Sequence, residues 1–248
     1  MTTKPPALKP LAPRRGVARV LSKLGITSRT QAARWVREGR VRVNGKLILD
    51  PEFPVIQDVD RILVDGQEPA SSALLVIMLN KPRGLVTTAN DEQGRDTVYR
   101  CLEGAGLPWI APVGRLDKAS EGLLLFSNDP VWAARITSPA TGLDKKYHVQ
   151  IDRLPDATLL ANLERGVVVE DVRLAAKTAR CLRAGERNAW LEIVLDEGRN
   201  RQIRRLLSAF DVSVLRLVRV AIGPISLGDL PKGRWRTLTQ QETDSFDR

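Results

Sequence analysis

The chain has 248 residues, of which 43% are hydrophobic and 27% charged, and it carries a net charge of +10 with a pI near 10.1. This length accommodates one large and one small domain, and the hydrophobic content excludes a disordered protein. No apolar run approaches the ~18 residues that span a bilayer, and the first residues lack the apolar segment of a signal peptide. The positive charge predicts a polyanionic partner or an anionic membrane surface.

Sulfur and imidazole side chains are scarce, because the chain has two cysteines, Cys101 and Cys181, and one histidine, His148. Both cysteines are expected to be buried in a reducing compartment, which favours the cytoplasm. So few nitrogen and sulfur ligands exclude a structural zinc site, and no nucleotide-binding fingerprint occurs. We therefore expect neither a metal nor a cofactor.

The first third of the chain predicts a flexible basic tail over residues 1–13 and a small domain over residues 14–68. Helical spacing of apolar residues ends at Gly25, and Ser28 begins a second helix that ends near Gly39. Residues 41–48 then alternate around an Asn-Gly pair, which is typical of a β-hairpin.

Positive charge is concentrated in this small domain, where ten basic residues and one acid, Glu38, lie between Arg14 and Lys46. A solvated surface normally mixes both signs, so this excess favours contact with phosphates. The residues expected to make such contacts are Arg29, Arg34, Arg37 and Lys46. Trp35 could stack on a base, although a tryptophan in mid-helix favours a core position.

A Gly-, Pro- and Ser-containing stretch over residues 65–72 resembles a linker, which we place at residues 69–73, before a larger domain over residues 74–248. Many strand patterns and few helix patterns predict an α+β domain with a large, mostly antiparallel sheet. The predicted strands are 74–79, 123–126, 146–151, 167–169, 190–195, 214–220, 225–227 and 234–238, and the predicted helices are 131–136, 157–163 and 202–210.

The most informative stretch runs from Gly114 to Phe126, with the sequence GRLDKASEGLLLF. It places Asp117 and Arg115 in a polar loop directly before an apolar strand. A carboxylate held beside a cation at the end of a rigid element is pre-organised for chemistry. An isolated Arg-x-Asp would more often be a structural pair that stabilises a turn.

This stretch resembles the catalytic motif of pseudouridine synthases, in the group that modifies ribosomal RNA and carries an S4-like domain in front. Residues 78–84 (MLNKPRG), 145–149 (KKYHV) and 197–205 (EGRNRQIRR) are similar to three further motifs of that family, in the same order. Residues 14–68 are similar to its S4 RNA-binding domain. The resemblance implies a small S4-like domain and a larger catalytic domain with a mixed, mostly antiparallel sheet flanked by helices.

The resemblance also implies roles for single residues. Asp117 matches the essential carboxylate, Arg204 matches its partner, and Tyr147 is expected to stack on a uridine flipped out of the RNA. His148 alternates to the opposite face of the strand. Further RNA contacts are expected from Arg115, Lys81, Arg83, Arg199 and Arg201, although Lys81 could equally be structural.

Three alternatives stay open. The chain could be a non-catalytic, ribosome-associated S4 factor, a hydrolase that uses Asp117 with Glu121, or a pseudouridine synthase acting on transfer RNA. The expected partner is ribosomal RNA or a ribosomal assembly intermediate, bound by a monomer without a membrane. Residues 215–223 and 230–235 are more similar to large-subunit than to small-subunit enzymes, so the large-subunit RNA is favoured.

Overall fold

The computed structural model describes residues 13–69 and 73–247, which divide into two compact units. The first unit contains the described residues up to Ala73 together with Asn128–Pro130, and the second contains Leu74–Ser127 and residues 131–247. Within these residues, no helix is both long and apolar enough to cross a bilayer. The predicted basic tail, apart from Pro13, and residues 70–72 of the predicted linker lie outside the described residues.

The first unit is a small α/β fold in which β3, β2 and β5 form an antiparallel sheet and β1 pairs with β4. Its elements are β1 (Arg15–Gly16), α1 (Val17–Lys23), α2 (Arg29–Arg37), β2 (Val41–Val43), β3 (Lys46–Ile48), β4 (Pro54–Val55) and β5 (Ile62–Val64).

Local signals explain where these elements begin and end, and they confirm the predicted helices and hairpin. Gly25 has φ +70, the left-handed conformation that ends α1. The side chain of Ser28 accepts a hydrogen bond of 3.0 Å from the backbone N–H of Gln31 at the start of α2. Asn44 and Gly45 have φ values of +49 and +81, as a type I′ hairpin turn requires.

The linker-like stretch begins later than its composition suggested. Asp65 and Gly66 form a second turn with positive φ, and the backbone N–H of Val64 donates to the carbonyl of Gln67 over 2.9 Å. Arg40 also forms an ion pair with Asp65. Residues 65–67 therefore belong to the first unit. Their composition resembled a linker because a tight turn uses the same residue types.

The described part of the second unit contains eleven strands and four helices, together with three short 3-10 turns. Its elements are β6 (Val76–Lys81), β7 (Ala111–Val113), β8 (Glu121–Ser127), α3 (Pro130–Thr137), β9 (Lys145–Ile151), α4 (Ala157–Arg165), β10 (Val167–Val169), β11 (Val172–Leu174), β12 (Thr178–Ala184), β13 (Ala189–Leu195), α5 (Gln202–Ser208), β14 (Val214–Ile222), β15 (Ile225–Ser226), β16 (Trp235–Thr237) and α6 (Gln240–Asp244).

Nine of these strands form one mixed sheet in the order β12-β13-β9-β14-β8-β6-β16, with β7 paired to β8 and β15 to β14. All pairs are antiparallel except β14 with β8. The register aligns Lys81, Gly122, Arg219 and Tyr147 side by side across β6, β8, β14 and β9. We call these four residues the register row.

The central strands β6 and β8 are buried on both faces, which explains their continuous apolar sequences. Ile77, Leu79, Leu124 and Phe126 pack into a core that also contains side chains of α4 and α5. Their neighbours along the two strands pack into a second core with α3 and the C-terminal residues, a cluster that includes Val76, Met78, Leu123, Leu125, Trp132, Ile136 and Phe246.

The sequence patterns missed β1, β4 and β5 of the first unit and β7, β11, β12 and α6 of the second. Strand β12 lies at the edge of the sheet and is exposed along most of its length, so it shows no regular apolar alternation. The expectation that both cysteines are buried is wrong for Cys181, which is exposed on β12, whereas Cys101 is half-buried. Because β12 has a neighbouring strand on one side only, fewer side chains surround its residues, and most of them stay exposed.

Candidate active site

A cavity of about 830 Å³ opens in the second unit, within the size range of small-molecule binding sites. The loop before β8, strands β9 and β14, and the segment that leads into α5 all line it. It brings Asp117, Tyr147, Arg115, Arg199 and Arg201 together, although these residues come from three separate stretches of the sequence.

The loop that carries Asp117 is held by hydrogen bonds to five consecutive backbone carbonyls, from residue 116 to residue 120. Thr87 donates to the carbonyl of residue 116 over 2.7 Å, and the N–H of Gly84 donates to that of residue 118 over 2.8 Å. Lys81 donates to the carbonyls of residues 117 and 120, and Arg204 to that of residue 119. A backbone fixed at every residue holds its carboxylate in one place.

Lys81 is fully buried, which corrects its prediction as an RNA contact. Its ammonium donates to the carbonyls of Asp117 and Ser120 in the loop over 3.2 and 2.9 Å, and to that of the adjacent Pro82 over 3.1 Å, so all three protons are used. Burial lowers the pKa of Lys81 to about 8, although the negative charge of Asp117 opposes this shift. We assign Lys81 as a residue that positions the loop.

Among the described residues, the cation nearest to the carboxylate of Asp117 is Arg201, whose Nη1 lies 3.8 Å from Oδ2. Arg204 was predicted to be that partner, but among the described residues it forms no ion pair with Asp117 within 4 Å. Its guanidinium instead donates to the carbonyls of Ala119 (3.4 Å) and Val214 (3.3 Å). Burial, followed by the charge of Arg201, lowers the pKa of Arg204, while Asp117 opposes the shift. Arg204 therefore contributes positive charge from behind the loop.

The segment before α5 presents two arginines at the cavity. Arg201 has φ +48, an uncommon conformation for a non-glycine residue, and lies directly before the helix. The exposed Arg199 pairs with Glu197 over 2.7 Å, and the buried Gln202 donates to the same carboxylate. These contacts fix the segment while leaving both guanidinium groups exposed, as expected for RNA-binding residues.

Tyr147 lies on β9 with only 8% of its surface exposed, and it both lines the cavity and packs into the core. His148 points to the other face of the sheet, as predicted, where its ring lies 3.7 Å from Glu192. Burial lowers the pKa of His148, although the negative charge of Glu192 opposes this shift. The aromatic group that faces the cavity is therefore the tyrosine.

The remaining predicted RNA contacts are all exposed. In the second unit, Arg115 belongs to the loop and lines the cavity, and Arg83 lies next to Gly84, whose N–H donates a hydrogen bond to the loop. Those in the first unit are Arg29, Arg34, Arg37 and Lys46. Two of the first-unit arginines are partly neutralised, because Arg29 pairs with Glu52 and Arg34 with Glu38. Trp35 packs against the small core beneath the guanidinium of Arg40, which lies 4.9 Å from its ring centre.

Glu121, the second carboxylate of the hydrolase alternative, does not face Asp117. It is buried and forms two hydrogen bonds of 3.0 Å with Arg216 and an ion pair with Lys232. It also does not line the cavity. Two carboxylates that share no cavity cannot act from opposite sides of one glycosidic bond, so this geometry argues against a glycosidase.

The sequence interpretation overlooked Ser120 and Arg219, which both line the cavity and are almost fully buried. Arg219 lies in the register row between Gly122 and Tyr147, and its Nε donates to the carbonyl of Leu123 over 2.8 Å. An arginine in an alternating strand normally indicates a solvent-exposed position, so only the pairing of β14 with β8 and β9 reveals its place.

Comparison with known proteins identifies the family. Residues 75–209 match the family described as RNA pseudouridylate synthase, and residues 15–56 match the S4 domain. An uncharacterised RNA pseudouridine synthase of Aquifex aeolicus is 37% identical over 91% of both chains. Ribosomal large subunit pseudouridine synthase B of Salmonella typhimurium is 37% identical over 91% of this chain and 80% of its own.

A solved structure described as a pseudouridylate synthase superposes with a TM-score of 0.65 and 27% identity, covering 95% of this chain and all of that one. The fold and the matched regions together define an RNA-modifying enzyme with an S4 domain. The chain belongs to the RNA pseudouridylate synthase family. The predicted fold class, an S4-like unit before a mixed and mostly antiparallel sheet, is confirmed.

Proposed function

We propose that this enzyme converts a uridine of ribosomal RNA to pseudouridine, with Asp117 as the catalytic carboxylate. The observation that supports this most directly is the loop of residues 114–120, in which five consecutive carbonyls are held while the carboxylate lines the cavity. The reaction breaks the bond from C1′ to N1 and forms a bond from C1′ to C5. N1 gains a proton and C5 loses one, so no redox change occurs.

The surroundings of Asp117 suit this chemistry. The side chain of Asp117 is 36% exposed, so the carboxylate can reach a bound nucleotide, and Arg201 stabilises its negative charge from 3.8 Å. Tyr147 provides an aromatic surface in the same cavity, on which a flipped base can stack. Arg204 adds positive charge behind the loop and keeps the carbonyl of Ala119 in place.

Exposed arginines around the cavity supply contacts for the RNA backbone. We assign this role to Arg83, Arg115, Arg199 and Arg201 in the second unit. The S4 unit adds Arg29, Arg34, Arg37 and Lys46, which contribute affinity and position rather than sequence choice. A monomer that binds ribosomal RNA or an assembly intermediate in the cytoplasm is the simplest arrangement.

Large-subunit RNA is the favoured substrate. The relatives named ribosomal large subunit pseudouridine synthase B are 36–37% identical to this chain over 91% of its length, and the S4 domain is present as well. Tritium release from small-subunit or transfer RNA instead would identify one of those RNAs as the substrate.

The test is release of tritium from RNA labelled with uridine-5-³H, because bond formation at C5 expels that hydrogen. Purified protein is incubated with large-subunit, small-subunit and transfer RNA transcripts, and Asp117→Asn and the exposed-loop control Asp229→Asn are assayed in parallel. We expect release from the large-subunit RNA, its loss in Asp117→Asn, and wild-type rates in Asp229→Asn. Bound RNA without release, on both naked transcripts and assembly intermediates, would instead support a non-catalytic S4 factor.

A further inference from the structure

Two polar groups in the floor of the cavity are buried and have no hydrogen-bond partner among the described residues. They are the Nη2 of Arg219, in a residue that is 5% exposed, and the hydroxyl of Ser120, in a residue that is 1% exposed. Both residues line the same cavity as Asp117 and Tyr147. Folded proteins rarely leave buried donors unpaired, so such groups point to a ligand that supplies the missing partners.

The guanidinium of Arg219 is oriented rather than mobile. Its Nε is fixed by the carbonyl of Leu123 at 2.8 Å, and its backbone lies opposite Tyr147 in the sheet. Directly opposite residues in an antiparallel pair point to the same face, with Cβ atoms ~5 Å apart. The side chains of Arg219 and Tyr147 therefore leave the same face of the sheet, and both line the cavity, so one bound base can contact both.

The electrostatic surroundings favour an acceptor at this position. Burial, and then the positive charge of Arg219, lower the pKa of the neighbouring Lys145. Among the described residues, no carboxylate forms an ion pair with Arg219 within 4 Å. A carbonyl oxygen of a ligand would satisfy the guanidinium without bringing a second charge into the cavity.

We propose, on the basis of the proposed function, that Arg219 and Ser120 form the subsite that recognises the flipped uracil. The Nη2 of Arg219 donates a hydrogen bond to a carbonyl oxygen of the base. The hydroxyl of Ser120 accepts a hydrogen bond from the N3–H group of the base. Flipped bases are commonly read through hydrogen bonds to this edge.

The symmetry of uracil makes this pair suitable for an isomerase. Turning the base by 180° about the axis through N3 and C6 exchanges N1 with C5 and O2 with O4, while N3–H stays on the axis. The same donor and acceptor therefore bind the base before and after the turn. Cytosine has an amino group in place of one carbonyl, so in one of the two orientations it would leave the guanidinium unpaired.

The test compares Ser120→Ala and Arg219→Met with Arg187→Met, a control that removes one exposed charge from the hairpin between β12 and β13. Three quantities are measured: the single-turnover rate of tritium release from large-subunit RNA, the salt dependence of RNA affinity, and the unfolding midpoint. We expect a loss of about 5-fold for Ser120→Ala and about 10- to 100-fold for Arg219→Met, with wild-type salt dependence. Arg187→Met should release tritium at the wild-type rate.

Ser120→Ala keeps the test decisive if Arg219→Met fails to fold. Its hydroxyl makes no hydrogen bond within the described protein, so its removal should leave the unfolding midpoint unchanged while the rate falls. Wild-type rates in Ser120→Ala and in a folded Arg219→Met would overturn the subsite. A salt slope reduced by about one in Arg219→Met would also overturn it, because that result indicates a phosphate contact. A wild-type protein without release would instead refute the proposed function, and the subsite with it.

Discussion

Replacement of the buried Lys81 by methionine tests whether the loop must be clamped for Asp117 to act. Methionine has a similar length and no polar hydrogen, so the variant removes three hydrogen bonds and keeps most of the packing. The carbonyl of Asp117 retains a second donor, the backbone N–H of Ser120 at 2.9 Å. The carbonyls of Pro82 and Ser120 lose the ammonium that holds them.

Two opposing terms determine the stability of Lys81→Met. Leaving two carbonyls without their donor costs about 1–3 kcal/mol each. Removing the buried charge recovers about 3 kcal/mol, because burial has shifted the pKa of Lys81 from 10.5 to about 8. The free energy of unfolding should therefore stay within about 3 kcal/mol of the wild type. The rate should fall about 100-fold, since a displacement of ~1 Å at a catalytic group has an effect of that size.

The assay measures single-turnover tritium release and urea unfolding on the same preparations, with Lys177→Met as the control. Lys177 pairs with Asp144 on the surface, so its loss should leave both the free energy of unfolding and the rate close to those of the wild type. A folded Lys81→Met enzyme with the wild-type rate would refute the reasoning, since it would show that the loop holds Asp117 without the ammonium.

Two further changes probe how the sheet supports the site. Gly122 has φ +100, and a Cβ there would lie 2.3 Å from the backbone oxygen of Arg219, so Gly122→Ala should lose more than about 3 kcal/mol in urea unfolding. Gly185→Ala is the control, because its Cβ would meet its nearest atom at 3.4 Å. A decrease of less than about 1 kcal/mol in the free energy of unfolding of Gly122→Ala would contradict the register. Burial would raise the pKa of Glu121, but hydrogen bonds from Arg216 and Lys232 outweigh it and hold that pKa below its usual 4.5. The contribution of ionised Glu121 to the free energy of unfolding is therefore complete above pH ~5 and is lost as the pH falls through the folded-state pKa. The wild type should be more stable than Glu121→Gln by about 1–3 kcal/mol at pH 7, and this difference should shrink below pH ~4. A difference that does not change with pH would disprove this role.

Basic residues with similar local sequences lie in different environments in the folded protein. Arg115 and Arg199 are exposed as predicted, because their loop positions leave few alternatives. Lys81 has the same charge and an equally polar neighbourhood in the sequence, yet it is buried. Its burial depends on three carbonyls that converge from the chain around residues 82 and 117–120, and that convergence exists only in the folded loop.

The sequence by itself determined the features that depend on neighbouring residues. Caps, the Asn-Gly turn and apolar periodicity gave the helices and hairpin of the first unit, and the order of four motifs predicted that Asp117 and Tyr147 belong to one site; both residues line the cavity. Tertiary structure decided which strands pair and in which register, because packing on both faces of β6 and β8 determines that alignment. The register row joins residues that are distant in sequence, and the local pattern around each one does not indicate the others. The positions of Lys81 and Arg219 beside the cavity follow from this row.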